Sequence, residues 1–281
     1  MRRVKTCFEL VIFVVVAFAV LYSQRVAISD WLREGTAPAL PEAVSYQPKP
    51  EPAESQSPPP PPAPVETESL ITPPSATPLQ TEAAPSAPLP HAYNLSVPFT
   101  PQAPFGEWDA VHKETCEEAA LYMVQAFYQG VPEGKIEAQT AENEIQKIIA
   151  FENQLFGFFE DTTVVQTATL AEMMYGFEQT EVVENPTIEQ IKTAVVAGHP
   201  VIIPTAGRLL GNPYYTAPGP IYHMLVVRGY TADGKFITND AGTKRGEAYL
   251  YDFDTVMDAM HDWNGGQDIT GGRKVALVVY P

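Results

Sequence analysis

Cysteine and basic residues are scarce in this chain of 281 residues. There are two cysteines, Cys7 and Cys116, and Cys7 borders an N-terminal apolar run, so the remaining sequence cannot form an internal disulfide. The chain has 17 Lys and Arg against 34 Asp and Glu, a formal net charge of −17. Nucleic-acid binding needs clustered cations, so this composition argues against a nucleic-acid partner. The five histidines lack the spacing of metal ligands, and the sequence predicts neither a metal nor a cofactor.

Long hydrophobic runs are also missing, with one exception near the N-terminus. Three basic residues precede a wholly apolar run at positions 10–22. Residues 1–23 are therefore predicted to be a targeting segment, either a signal peptide cleaved near Ala17-Phe18-Ala19 or an uncleaved membrane anchor. The anchor is favoured because the apolar run continues past Ala19. In both cases the charge pattern predicts that everything after the segment lies outside the cytoplasm, at a membrane or secreted.

Within the segment 24–91, residues 36–91 have no apolar periodicity. Of the 28 prolines in the chain, 17 lie between positions 36 and 91. Such a composition cannot bury enough apolar surface to fold, and proline-rich spacers are extended. We therefore expect a juxtamembrane segment followed by a disordered, proline-rich linker, which holds the domain at 92–281 away from the membrane.

Within 92–281 the apolar pattern changes from helical spacing to strand-like runs. Helices are predicted first and strands second, which is typical of an α+β domain with a largely antiparallel sheet. The predicted helices begin at Cys116, Ala138, Thr169, Thr187 and Phe253. The predicted strands cover 94–100, 200–204, 222–230, 235–240, 247–251 and 273–280.

Cys116 is predicted to be the first residue of a buried helix. Thr115 and Glu118 have the spacing of a capping box, and apolar residues follow at helical intervals. The positive end of a helix can lower a thiol pKa from about 8.5 to about 3.5–7.5. The acids at 117 and 118 oppose this effect, and an isolated buried cysteine is usually structural. A catalytic role therefore depends on a base elsewhere in the chain.

His223 is the candidate base because it opens an apolar strand. The Asp233-Gly234 turn predicts a hairpin between this strand and 235–240. Pairing of Tyr230 with Lys235, or a tighter two-residue turn, would place Asp240 on the same face as His223. A one-residue slip or a bulge would give that place to Asn239 instead. Cys, His and Asp would then form a nucleophile, a general base and the group that orients the base.

Further residues are predicted to complete such a site. Gln102, in a proline-rich loop before the Cys116 helix, is a candidate side-chain donor to an oxyanion, together with the amide of Cys116. The loop 207–220 has the composition of a cleft wall, and Arg208, Tyr214 and Tyr215 are its candidate peptide contacts. An ordinary packed loop is the alternative.

With these residues in place, the domain resembles the papain-like cysteine peptidases, in particular stand-alone relatives of the double-glycine leader peptidases (C39-like). The motifs that carry the resemblance are VPFTPQ at 97–102, Trp108, CEEAA at 116–120, YHMLVVRGY at 222–230 and ITNDAGT at 237–243. The resemblance implies a papain-like fold, a site of Gln102, Cys116, His223 and Asp240, and Trp108 in the substrate cleft. The residues beside the reactive groups differ from those of better-known members, which have Cys-Gly-Pro, Gly-His and Asp-Pro.

The sequence therefore predicts an extracytoplasmic cysteine peptidase that cleaves a peptide or isopeptide bond in a peptide or protein substrate. The thiol and imidazole are expected to be ionised as a pair before the substrate binds. Two alternatives remain open. One is a non-catalytic papain-like binding module, and the other is cell-wall peptide hydrolysis or transglutaminase-type acyl transfer on the same triad.

Overall fold

The computed structural model describes residues 39–48 and 88–281. The predicted anchor at 1–23 and most of the predicted linker lie outside these residues. Among the described residues, no helix combines the length and the hydrophobicity needed to cross a membrane. Contacts divide the chain after Leu40, and the unit Pro41–Pro281 contains all the elements named below.

Five α-helices and seven strands form the described domain. The helices are α1 (Cys116–Tyr128), α2 (Ala138–Leu155), α3 (Val164–Tyr175), α4 (Ile188–Val196) and α5 (Phe253–Ala259). The strands are β1 (Tyr93–Asn94), β2 (Gln179–Glu184), β3 (Val201–Ala206), β4 (Tyr222–Tyr230), β5 (Lys235–Asn239), β6 (Tyr249–Asp252) and β7 (Val275–Tyr280). The sequence did not predict β2, and α3 begins five residues earlier than expected, at a capping box of Thr163 and Gln166.

The strands form one antiparallel sheet in the order β2-β7-β3-β4-β5-β6, and β1 pairs with β4. Every residue of β3 and β4 is buried. Helix α1 packs against β4, and its apolar residues Met123, Val124 and Phe127 join the core. The predicted α+β class, with helices and an antiparallel sheet, is confirmed. The packing of α1 on β4 brings Cys116 and His223 into the same part of the domain.

The capping box predicted at the start of α1 is wrong. Thr115 occupies the position before the helix, but its side chain makes no cap hydrogen bond. The hydroxyl donates instead to the carbonyl of Gln102, at 3.0 Å. Glu118 points into the interior, where it is fully buried. A tertiary hydrogen bond therefore replaces the local capping interaction, and through it Thr115 connects the start of α1 to the Gln102 loop.

The hairpin of β4 and β5 contains a bulge. Near the turn Tyr230 lies opposite Phe236, a register that differs by one residue from both predictions. Beyond Arg228 the register shifts, and Asn239 lies opposite Val226. Arg228 is the extra residue, as in other β-bulges. The shift places the next residue, Asp240, on the face of His223.

Part of the predicted linker is packed on the domain. Val44 forms a parallel bridge with Leu95, and its amide donates to the carbonyl of Asn94 at 2.9 Å. Tyr46 packs edge-on against Phe127 and Tyr128. At residues 41–48 the structure therefore differs from the predicted disorder, because Tyr46 packs against the core and the backbone of Val44 finds hydrogen-bond partners.

Candidate active site

Cys116 is the first residue of α1 and is 4% exposed. Its Sγ accepts a hydrogen bond from the backbone amide of Met224, at 3.3 Å. The thiol donates to Oε2 of Glu117, at 2.9 Å. The sulfur therefore touches the strand residue that follows His223. Among the hydrogen bonds of the described residues, none joins Cys116 to the His223 ring.

The environment of Cys116 keeps its thiol protonated. Burial raises the pKa of Cys116 well above its ordinary value, and the charge and hydrogen bond of Glu117 raise it further. The amide of Met224 acts in the opposite direction but is weaker. The predicted resting thiolate is therefore wrong for this form of the site. The helix N-terminus is outweighed by desolvation and by a carboxyl group next to the sulfur.

His223 is paired with Asp240. The ring Nε2 and Oδ1 of Asp240 are 2.8 Å apart, and both residues are buried. This bond leaves Nδ1 as the ring nitrogen available to another partner. Asn239, the alternative orienting residue, donates instead to the carbonyls of Val97 and Pro98 at 3.1 and 3.0 Å. The catalytic role of the pair stays a prediction, but the carboxylate beside the imidazole is that of Asp240.

Five donors converge on the carboxylate of Asp240. Oδ1 accepts from His223 Nε2 and Gly242 N, and Oδ2 accepts from Asn212 Nδ2, Tyr215 Oη and Tyr251 Oη, all at 2.6–2.9 Å. Burial opposes ionisation, yet the charge and hydrogen bond of His223 and the two tyrosine hydroxyls outweigh it. The pKa of Asp240 is accordingly lower than its ordinary value. Asp240 is thus held as a carboxylate, the form that orients an imidazole.

The backbone at Gly242 passes unusually close to this group. A Cβ at this position would lie 2.8 Å from Tyr215 Cε1 and 3.0 Å from His223 Cε1. Only glycine lets the amide of residue 242 reach the Asp240 carboxylate without displacing these rings.

Gln102 lies between the helix start and the Asp240 loop. Its side-chain Nε2 donates to the carbonyl of His112 at 2.8 Å, which leaves its second amide hydrogen for another acceptor. Its backbone amide donates to the carbonyl of Ala241 at 2.9 Å. The loop is therefore fixed on both sides, as a preorganised oxyanion donor requires.

A cavity of about 650 Å³ opens above these residues. Gln102, Gly242 and Tyr222 belong to its lining, as do the predicted substrate contacts Trp108, Tyr214 and Tyr215. The fourth predicted contact, Arg208, is not part of the lining. It lies in a 3₁₀ turn at Gly207–Leu210, and its Nε donates to the carbonyl of Gly219 at 3.3 Å.

The comparison with family models decides the classification. The model of the Peptidase_C39 like family matches residues 94–268, more than half of the chain. The chain belongs to this family. A crystal structure from Bacillus anthracis, described as that of a proposed C39-like peptidase, matches with 17% identity and a TM-score of 0.42. The alignment covers 67% of this chain and 96% of that one. No curated protein sequence matches the chain.

The predicted catalytic residues Cys116 and His223 of the C39-like domain do not line the cavity. Cys116 is 4% and His223 is 1% exposed. The ring of Tyr215 stands edge-on to the His223 ring, with centroids 5.7 Å apart. Tyr215, predicted to contact a peptide, therefore both lines the cavity and covers the imidazole.

Sequence reasoning missed most partners of Asp240 in this C39-like site. Asn212 precedes β4 in a long loop, Gly242 follows β5, and Tyr251 lies on β6. No local pattern links these positions, because the fold alone brings them together. The sequence signal that came closest to indicating these partners was the polar and aromatic composition of the loop at 207–220.

Three buried carboxyl groups cluster where α1 meets α2 in the C39-like domain. They belong to Glu117 and Glu118 of α1 and Glu152 of α2, each at most 1% exposed. No Lys, Arg or His of the described residues forms an ion pair with Glu118 or Glu152. The two carboxyls interact with each other, which requires a shared proton. Burial raises the pKa of Glu152 to about 7.

This arrangement predicts that Glu152→Gln stabilises the protein at pH 8. The unfolded chain releases the Glu152 proton above its ordinary pKa of 4.5, whereas the folded chain keeps it up to about pH 7. Glu152 therefore lowers the free energy of unfolding as pH rises through this window, and by up to about 3 kcal/mol above it. Urea unfolding at pH 5 and pH 8 measures the effect.

The control for this measurement is Glu189→Gln, a 69% exposed side chain paired with Lys192. It should change stability by less than about 0.5 kcal/mol at both pH values. A Glu152→Gln protein that is less stable than wild type at pH 8 would contradict the prediction. It would show that interactions in the folded protein offset the cost of burying the ionised Glu152 carboxylate.

Proposed function

We propose that this C39-like protein is a cysteine peptidase that cleaves a peptide or isopeptide bond outside the cytoplasm. One observation carries the proposal: the sulfur of Cys116 lies against the backbone of β4, the strand that bears His223, and His223 is paired with Asp240. Nucleophilic catalysis needs a thiol, a base within reach and a group that orients the base. The family match supports a peptidase, and the three side chains supply these roles.

In the proposed reaction the thiol of Cys116 turns from Glu117 towards the His223 ring. Its proton passes to Nδ1 of His223, while Asp240 stabilises the imidazolium through Nε2. The sulfur attacks the substrate carbonyl, and the amide of Cys116 and the side chain of Gln102 stabilise the oxyanion. His223 returns the proton to the leaving amine, which leaves a thioester on Cys116. Water activated by His223 then hydrolyses the thioester and restores the thiol.

The aromatic lining of the cavity supports a peptide as the substrate. Trp108 is 40% exposed, and Trp263 packs against Tyr222, with ring centroids 5.4 Å apart. Such surfaces suit the apolar and backbone groups of an extended chain. The proposed extracytoplasmic location rests on the N-terminal charge pattern. The substrate is proposed to lie in the same compartment.

The oxyanion role of Gln102 gives a direct test. We expect Gln102→Ala to lower kcat by about 10²–10³-fold with little change in KM, because the contact forms in the transition state. Peptide cleavage by the full chain, followed by mass spectrometry, measures the rates. The matched control is Gln146→Ala, at a side chain whose hydrogen bond to Glu142 is solvent-exposed. Equal rates for both variants would remove Gln102 from the mechanism.

A non-catalytic binding module is the second candidate. It is favoured by the burial of the Cys116 thiol and by its hydrogen bond to Glu117 rather than to His223. In that case the cavity would bind a peptide, and the side chains of the site would hold the fold. Cleavage of any peptide that depends on Cys116 excludes this candidate.

A further inference from the structure

Glu117 occupies a position that the proposed mechanism does not use. Its carboxyl group lies in the first turn of α1 and is 1% exposed. Oε2 accepts the hydrogen bond of the Cys116 thiol at 2.9 Å, and Oε1 has no hydrogen-bond partner in the described part of the chain. A fully buried carboxyl group that binds the reacting sulfur is unusual, because desolvation of such a group is costly.

The groups that face Glu117 are acids or weak acids. Glu118 follows it on α1, Glu152 approaches from α2, and Asp161 approaches from the loop before α3. Tyr222 approaches from β4, and the charge of Glu117 contributes to the raised pKa of its phenol. No Lys, Arg or His of residues 39–48 and 88–281 forms an ion pair with Glu117.

We propose that Glu117 is a positioning residue that holds the Cys116 thiol protonated and turned away from His223 in the resting protein. It thereby sets the pH range in which the nucleophile becomes available. The inference rests on the proposed function only in naming Cys116 as the nucleophile.

The physical reason is the like charge that ionisation would create. A thiolate and a carboxylate in hydrogen-bond contact, with no cation beside them, would repel each other strongly in a desolvated site. The thiol proton therefore stays between Sγ and Oε2 until the side chain of Cys116 rotates. After rotation the proton passes to His223, and Glu117 remains behind without a partner for Oε2. Glu117 thus favours the resting form and opposes premature ionisation.

Burial raises the pKa of Glu117 well above its ordinary value, and the charges of Glu152 and Asp161 raise it further. Its own backbone amide and the thiol hydrogen bond act in the opposite direction. When Glu117 loses its proton at higher pH, its carboxylate accepts the hydrogen bond of the Cys116 thiol more strongly. The stability of the resting form therefore depends on pH.

The experiment is a pH titration of the Cys116 thiol in the full chain carrying Cys7→Ser, so that Cys116 is the remaining cysteine. Alkylation by iodoacetamide and the ultraviolet absorbance of the thiolate are followed with pH. We expect Glu117→Gln to lower the titration midpoint by about one pH unit or more, since a neighbouring charge in contact shifts a pKa by about 1–3 units. The midpoint is compared rather than the rate, because thiolate nucleophilicity falls with its pKa.

Glu118→Gln is the matched control. It removes an equally buried carboxyl group from the next position of the same helix, but this group does not bond to the sulfur. Its midpoint should stay much nearer to that of wild type. Glu117→Asp keeps a carboxyl group but withdraws it from Sγ, so its titration midpoint should lie between those of wild type and Glu117→Gln. This variant replaces Glu117→Gln in the experiment if Glu117→Gln does not fold.

Equal midpoints for wild type, Glu117→Gln and Glu117→Asp would overturn the proposal, as would an equal shift in Glu118→Gln. The titration needs no substrate, so its result stands apart from peptidase activity. Failure of the proposed function would instead appear as peptide cleavage that is absent, or that does not depend on Cys116.

Discussion

Replacing Cys116 by alanine is expected to abolish peptide cleavage, with kcat lowered by about 10⁶-fold. The sulfur is the atom that would form the thioester, and no neighbouring side chain in the described site can take its place. Residual hydrolysis would come from substrate binding and the oxyanion donors alone. The change is measured as release of peptide fragments from a protein digest, identified by mass spectrometry.

Two controls accompany this variant. Cys7→Ala removes the other cysteine and should leave the cleavage rate unchanged. Thermal unfolding of Cys116→Ala should show a loss of at most about 1–2 kcal/mol, because a small buried side chain is truncated in place. A folded Cys116→Ala protein that cleaves at the wild-type rate would exclude the thiol mechanism.

The second large effect is expected for Asp240→Asn. Asparagine keeps one acceptor oxygen but directs an NH₂ group at the donors that now converge on the carboxylate. We expect kcat to fall by about 10⁴-fold, because the imidazole loses the group that fixes its tautomer. We also expect the free energy of unfolding to fall by about 2–4 kcal/mol, since the donors at the oxygen that becomes NH₂, with either Asn212 or Gly242 among them, lose their acceptor.

The stability part of this prediction depends on pH. Because the folded pKa of Asp240 is lowered, its stabilisation is complete above the unfolded pKa of about 3.9 and is lost as pH falls through the lower folded value. The difference between wild type and Asp240→Asn should therefore narrow in acid. Urea unfolding at pH 7 and pH 3 measures it, with Asp252→Asn, a 66% exposed partner of Lys235, as the control. Unchanged stability together with unchanged kcat would remove Asp240 from both roles.

Much of the fold follows from local pattern. Helix α1 begins at the predicted residue because apolar spacing marks it, and the capping box of Thr187 and Gln190 opens α4 as expected. The hairpin of β4 and β5 follows from its turn residues. Strand β2 escaped prediction because it is half-exposed with a mixed pattern, and its pairing with β7 is set by the sheet.

The electrostatics of the site could not be predicted in the same way. The sequence shows that two acids follow Cys116, but not that both turn into the interior and that one of them binds the sulfur. Nor does it show the contact between Thr115 and the Gln102 loop, which displaces the expected cap. Burial and long-range contacts decide these properties, and a helix-start pattern contains neither.

The bulge at Arg228 has a consequence for which side chain faces the imidazole. The side chain of Arg228 bonds to the carbonyls of Leu95 and Val97 and to Glu133, so the extra residue is held in place. Without the shift in register, Asn239 would lie opposite Val227, on the face of His223, and would take the place of Asp240. The choice between an anionic and a neutral companion for His223 thus depends on a shift of one residue in strand register.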